Sequence, residues 1–407
     1  MAYVPSKKIL ENYADVLINF ALGGGAGIKK GDVVYVSANE SAKPLFAELR
    51  AAITKAGGHA ITQYIPDGDR THSMTRDFYE HASDAQLDFF PKKYLRGLVD
   101  EIDHSVYIIS ETDKQELAGI DPKKMMRRGM AMKQFSDWRH DKENKGKFTW
   151  TLALYGTPAM AKEAGLSEKE YWRQIIKACF LDEKNPIAKW RAVYEELEKT
   201  RAKLNALTPK IVKLHAEGPD MDLWITPGKK RQWLGGSGRN IPSFELFTSP
   251  DWRGTEGWIR FNQPLYRYGN KITGIELTFK GGRVAVAKAK TNEKLLKEMI
   301  ATPGADKIGE YSLTDRRLSR ITKFMAETLF DENIGGPYGN THLALGMSYK
   351  DTFSGNVAKL TKAQAQALGF NDSSVHTDIM STTRRTVTAH FKDGSTKVIY
   401  TDGEFVL

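Results

Sequence analysis

The sequence predicts an α/β N-terminal domain followed by an α+β, strand-rich C-terminal domain that carries a metal site. Three observations predict it. Through the first half, short β-branched runs alternate with helical periodicity, the pattern of a parallel α/β sheet. After Pro209 the texture changes to closely spaced strand-like runs parted by Gly-containing turns. The length of 407 residues also exceeds what one hydrophobic core ordinarily serves. The boundary is placed near Leu207–Pro209, giving domains 1–206 and 207–407.

In order along the chain, Ile9, Tyr13, Val16, Leu17 and Phe20 recur at helical spacing, and Gly23-Gly24-Gly25 ends that helix. Val33–Val36 is a strand. Leu45, Leu49 and Ile53 mark a second helix, stopped by Gly57-Gly58, and Ala60–Tyr64 and Val106–Ile109 follow as further buried strands. The Gly23-to-Gly27 cluster follows a helix instead of joining a strand to one, and no Lys-Ser pair follows it, so it reads as a turn and not a phosphate loop. Residues 162–204 are mostly helical, with Trp190, Tyr194, Leu197 and Leu204 on one apolar stripe. Beyond Pro209, strands are expected at Ile211–Leu214, Asp222–Ile225, Gly257–Phe261, Ile275–Phe279 and Val284–Ala287. Pro227-Gly228 and Gly281-Gly282 supply turns. Asp393-Gly394 turns a hairpin between Val387–Phe391 and Lys397–Tyr400.

Hydrophobic content of 41% and aromatic content of 10% are those of a folded protein. The net charge of +10 favours anionic partners in principle, but the basic residues are interleaved with acids. The densest run, Lys123–Arg128, reads as a solvated helix face, so nucleic acid is not an expected partner. Cys179 is the single cysteine, which rules out an intrachain disulfide and points to a reducing cytoplasm; its apolar helical setting makes it a core thiol. Residues 1–9 lack the apolar stretch of a signal peptide, and no apolar run of ~18 residues exists to span a membrane.

The chemistry concentrates in the last third. Glu245, Glu310, His342 and the pair His376–Asp378 are carboxylates and imidazoles in settings that suit a divalent cation. If His376-Thr377-Asp378 is extended, its outer residues project from the same face. Taken singly, each reads as a hydrogen-bonded polar residue: Glu245 a loop acid, Glu310 a strand-end carboxylate, His342 a core histidine. No His-Glu-x-x-His zinc helix is present.

The wording of these segments, in order, resembles the thermophilic metallo-aminopeptidase family, the aminopeptidase T group. The resemblance runs over nearly the whole chain. It is carried by Trp233-Leu234-Gly235-Gly236, Asn240-Ile241-Pro242 through Glu245–Pro250, Ile308-Gly309-Glu310, Thr328–Asn333, His342–Gly346, His376-Thr377-Asp378 and Asp402–Phe405. It implies two adjacent divalent metals held by Glu245, Glu310, His342, His376 and Asp378. Glu332 matches a further ligand, although Ile334–Gly339 lengthens the gap to His342 relative to some members. Tyr349 corresponds to a tyrosine of the family's active site; as a bare residue it also reads as a packed aromatic.

The resemblance implies hydrolysis of the N-terminal residue from peptides with a free N-terminus, in a homodimer whose sites face an enclosed cavity. Two cations make hydroxide available near neutral pH and polarise the scissile carbonyl, with Glu310 positioning or deprotonating the water and Tyr349 donating to the oxyanion. Mixed O and N donors suit zinc or cobalt, and also manganese or magnesium. The competing reading is a mononuclear non-haem Fe(II) ring-cleaving dioxygenase on the same scaffold, using His342, His376 and Asp378 as a facial triad. That triad has no need of Glu245 and Glu310. A third reading is a catalytically silent binding protein, disfavoured because no expected ligand is replaced.

Overall fold

The computed structural model describes residues 3–68 and 72–407, and the chain packs as two units. The first comprises Met1–Tyr194, Ser237–Ser243 and Lys323–Phe330; the second comprises Glu195–Gly236, Phe244–Thr322 and Asp331–Leu407.

Among the described residues, the first unit holds a parallel sheet in the order His59–Ile65, Val33–Asn39, His104–Ile109, Thr149–Leu154, Asn240–Ile241. Its central strands bury Val34, Val36, Val106, Ile108, Ala153 and Leu154, as β-branched runs covered by helices should. The helix Lys43–Lys55 packs on them through Leu45, Leu49 and Ile53. The expectation of a buried strand at Ala60–Tyr64 needs correction, because His59–Ile65 is largely exposed on both faces. It is the edge of the sheet, hydrogen-bonded to a neighbour on one side only. The first helix, Lys7–Val16, runs on through a π turn and ends at Gly23 and Gly24, both at φ +65°. The charged run forms part of the helix Pro122–Asn144, where Arg127 pairs with Asp84 and Asp88 while Met125 is buried. Cys179 is fully buried in apolar packing, which pushes its thiol far above the ordinary range.

The second unit holds, among the described residues, an eight-stranded antiparallel sheet, a four-stranded antiparallel sheet and a two-stranded hairpin. The larger sheet contains the expected strands from Ile211–Gly218 to Thr396–Thr401, and Gly281-Gly282 forms the turn between Glu276–Lys280 and Arg283–Lys288 with both φ positive. The smaller sheet positions the chemistry. Its order is His376–Ser381, Asn340–Gly346, Ile308–Thr314, Glu245–Thr248. Every residue of its two middle strands is buried, so both faces are covered. One face is apolar core: Leu246, Tyr311, Leu313, Leu343, Leu345 and Ile379. The other carries ionisable side chains. Among the described residues, no helix is long and apolar enough to cross a membrane.

Candidate metal centre

Period-two alternation and the register of four strands gather the expected ligands on one face. Glu310 lies opposite Ala344, which lies opposite Asp378; Gly346 lies opposite His376; Ser312 lies opposite His342 on one side and Phe247 on the other. Glu245, two residues before Phe247, Glu310, two before Ser312, and His342, two before Ala344, therefore project together with His376 and Asp378. Small side chains at Ala344 and Gly346 leave the space above the sheet to the ligands. The register shifts between Ile308 and Glu310, a bulge at Gly309; from Glu310 onward the register is regular, and alternation puts Glu310 on the same face as Ser312. A Cβ at Gly309 would sit 2.3 Å from the Met347 carbonyl oxygen, so the bulge needs glycine. Glu332 arrives from the segment after the short helix Thr328–Asp331, held by Asn333, whose Nδ2 donates to its Oε1 at 3.4 Å.

The distances describe a coordination shell better than a hydrogen-bond network. His342 Nε2 lies 3.2 Å from Glu245 Oε2, 3.3 Å from Glu310 Oε1 and 3.9 Å from Asp378 Oδ1. His376 Nε2 lies 3.3 Å from Glu310 Oε2 and 3.5 Å from Asp378 Oδ1. Charge-assisted hydrogen bonds close to about 2.7–2.9 Å. Two donors each about 2.1 Å from a common tetrahedral cation stand about 3.4 Å apart. Asp378 Oδ1 is buried and makes no hydrogen bond. The ligand atoms form three overlapping groups: Glu245, Glu310 and His342; Glu310, His376 and Asp378; and Glu332, His342 and Asp378.

Supporting contacts orient the ligands. His376 Nδ1 faces the Met347 carbonyl oxygen at 2.8 Å, which favours the tautomer with Nε2 free to ligate. Ser312 Oγ donates to Glu245 Oε2 at 2.6 Å. The Tyr349 ring packs edge-on against the His376 ring, centroids 4.8 Å apart, and its backbone N–H donates to Ser249 Oγ. Ser312 and the Met347 carbonyl were not anticipated from the sequence. Ser312 stands two residues after Glu310, a signal that same-face counting along the strand recovers.

The electrostatics show a cluster short of positive charge. Burial pushes the Glu245 carboxyl up to about 7, with Glu310 and Asp378 adding to the rise and His342 and Ser312 opposing it. Burial, then the charge of Glu245, raises Glu332 well above the usual range. Burial also works against ionised Glu310 and Asp378, but the imidazoles outweigh it. Glu310 is held below its ordinary value by His342 and His376, and Asp378 is held at about 2 by His376, His342 and Arg267. Both histidines resist burial and rise well above their ordinary value because carboxylates face them. Protons thus fill the role that dications fill more completely, so the donor set fits divalent metal.

The cluster is not equally covered. Glu245, Glu310, Glu332 and His342 are buried, whereas the His376 and Asp378 side chains are 18% and 16% exposed, so the site opens on their side.

Comparison with known proteins agrees with this chemistry. Aminopeptidase PepS of Streptococcus thermophilus is 28% identical, with 98% of each chain covered. Aminopeptidase T of Thermus thermophilus is 26% identical, covering 98% of this chain and 99% of that protein. The solved structure of wild-type AmpT from Thermus thermophilus superposes with a TM-score of 0.81 at 25% identity, covering 98% of this chain and 100% of that one. The sequence profile described as thermophilic metalloprotease (M29) matches residues 6–405, which takes in all four strands of the ligand sheet. A buried carboxylate–imidazole cluster short of cations is what a metal-dependent peptide hydrolase requires, and the chain belongs to the thermophilic metalloprotease (M29) family.

Proposed function

We propose that this protein is an aminopeptidase that removes the N-terminal residue from peptides at a centre of two divalent cations. The observation that carries the reading is the position of Glu310. Its two oxygens face different histidines at 3.3 Å each, and it belongs both to the Glu245–His342 group and to the His376–Asp378 group. A carboxylate shared between two ligand groups is the arrangement that a metal pair uses. Four carboxylates, from Glu245, Glu310, Glu332 and Asp378, also match the charge of two dications. A mononuclear iron site would need two histidines and one carboxylate, and the remaining acids would be left repelling one another.

When bound, zinc or cobalt ions supply the Lewis acidity that brings water toward ionisation at neutral pH and polarises the scissile carbonyl. The chain does the rest. Glu310, kept ionised by its two imidazoles, orients the water and accepts its proton. Tyr349, beside His376 at the open side, donates its hydroxyl to the developing oxyanion. Ser312 and the Met347 carbonyl hold Glu245 and His376 in place. In the same reading the enzyme works as a homodimer in the cytoplasm, where a single buried thiol is at no risk of unwanted pairing.

The test is release of free amino acid from an unblocked peptide and its N-acetylated twin, using chelated protein before and after adding zinc or cobalt. Metal-restored cleavage of the unblocked peptide alone is expected, with two metals bound per chain. Rebinding of one iron without cleavage, and oxygen uptake with a dihydroxypyridine, would replace this reading with the dioxygenase.

A further inference from the structure

Arg267 is a positive charge beside the metal centre that neither the fold nor the mechanism above consumes. It ends the first strand of the hairpin Leu265–Arg267 and Asn270–Ile272. The turn residues Tyr268 and Gly269 have φ +51° and +68°, the two positive values that a tight type I′ turn requires. Asn270 Nδ2 donates to the Tyr268 carbonyl at 2.8 Å and steadies that turn. Leu265 and Ile272 face each other and are buried, and by strand alternation Arg267 shares the face of Leu265. The hairpin packs beside the strand His376–Ser381, and the Arg267 charge reaches Asp378. Arg267 is itself half-buried, like His376 and Asp378.

Its donors are unspent. Among the described residues Arg267 makes no hydrogen bond and no ion pair, and its buried Nε has no partner. Its guanidinium lies over the neighbouring Tyr268 ring, 5.0 Å from the centroid. Other buried arginines of this unit are committed to structure. Arg231 donates to the carbonyls of Ser249, Lys229 and Leu368, and Arg385 to those of Ser381, Thr383 and Tyr338. A planar fork of five N–H donors matches a carboxylate in geometry and charge. The α-ammonium of a peptide is repelled by it, and the anionic group that every unmodified peptide offers is its C-terminal carboxylate. In a dipeptide that group is parted from the scissile nitrogen by a single Cα, so its carbon lies about 2.5 Å from that nitrogen.

We propose that Arg267 is the receptor for the C-terminal carboxylate of short peptides and makes this centre selective for dipeptides. The proposal rests on the aminopeptidase reading, and binding and turnover are therefore measured separately. A reduced-amide dipeptide, with CH2 in place of the scissile carbonyl, and its C-terminal amide are titrated by calorimetry into zinc-loaded wild type, Arg267→Met and Arg267→Lys. The hydrolysable dipeptide and its amide are assayed in parallel.

Wild type is expected to bind the free acid about tenfold to hundredfold more tightly than the amide, the range of a charge-assisted contact. Arg267→Met removes that ratio by weakening the acid alone, and Arg267→Lys restores part of it. KM for the hydrolysable acid rises by the same factor while kcat stays within about twofold. Equal wild-type affinity for acid and amide overturns the proposal. So does an Arg267→Met loss that is the same for both, which would make Arg267 a positioning residue for Asp378. If Arg267→Met does not fold, the wild-type ratio decides. Discrimination in binding without cleavage of either peptide keeps the receptor and removes the aminopeptidase reading. Cleavage of acid and amide with equal KM keeps the peptidase and overturns the receptor.

Discussion

His104 in the parallel sheet and His342 in the four-stranded antiparallel sheet are both buried imidazoles beside acids, yet their surroundings are built differently. His104 places Nε2 2.9 Å from Asp32 Oδ2 and Nδ1 2.7 Å from Thr149 Oγ1, so each ring nitrogen has one close partner. Burial pushes the Asp32 carboxyl up, but the hydrogen bonds from His104 and the Lys29 N–H and the charges of the same two residues together outweigh it and hold it below the ordinary range. His342 instead turns one nitrogen toward three carboxylates at 3.2 to 3.9 Å and leaves Nδ1 without a hydrogen bond. One imidazole is closed by its neighbours and the other awaits something larger than a proton. Both places pair an imidazole with acid and hydroxyl; spacing and the number of acids separate a structural histidine from a proposed ligand.

Breaking the open cluster should have the largest effect. Glu310→Gln keeps the shape and removes the carboxylate shared by both histidines, so kcat is expected to fall by about 10³-fold or more with the circular dichroism unchanged. Near-normal turnover in folded Glu310→Gln would take Glu310 out of the mechanism. On the two-metal reading His342→Ala should come next, lowering bound metal from two toward one per chain when measured by atomic emission after dialysis. An unchanged metal content would show that His342 is another His104.

Acidity should discriminate the two sites as well. Glu245, His342 and His376 all have folded-state pKa values raised above their unfolded ones. In metal-free protein their contribution to stability is full below the unfolded values and is lost as pH rises through the folded ones, which for Glu245 means through about 7. Glu310 and Asp378 are shifted the other way, so their contribution is full above the unfolded carboxylate values and is lost only on strong acidification. Metal displaces the bound protons, so the gap in Tm between loaded and chelated protein should widen from pH 6 to pH 8. A gap independent of pH would mean that the cluster binds metal without releasing protons. The smallest effect is expected at the closed site. Thr149→Val removes the partner of His104 Nδ1 and an acceptor for the Gly23 N–H, costing about 1–3 kcal/mol in denaturant unfolding with kcat/KM of the loaded enzyme unchanged.

The two sites also mark what a reader of the sequence can and cannot recover. Alternation in His376-Thr377-Asp378 puts imidazole and carboxylate on one face from local geometry alone, and the strand and helix runs follow from their periodicity. That Glu310 joins them depends on its pairing with Ala344, and on Ala344 pairing in turn with Asp378. Both are properties of register and have no local signal. The strand Asn240–Ile241 completes the parallel sheet from far along the chain, so its pairing with Leu152 and Ala153 is invisible to a windowed reading. His59–Ile65 has the composition of a covered strand and lies at an edge, because pairing order is set by tertiary packing. Arg267 sits in no motif; a hairpin turn brings it to Asp378.

The dispersal of the donors over four strands and the segment after the helix Thr328–Asp331 has a consequence for how the protein matures. From Glu245 to Asp378, no short stretch of chain offers more than two of the six proposed ligands, Glu332 with His342 and His376 with Asp378 being the pairs. An unfolded chain therefore presents nothing that grips a cation firmly, and metal cannot template this fold as it does in a small zinc module. On the proposed metal reading, loading is expected to follow folding, so that chelated protein keeps the circular dichroism of the loaded form. Such a protein would outlast metal scarcity in folded form, and its activity would then follow metal supply instead of synthesis.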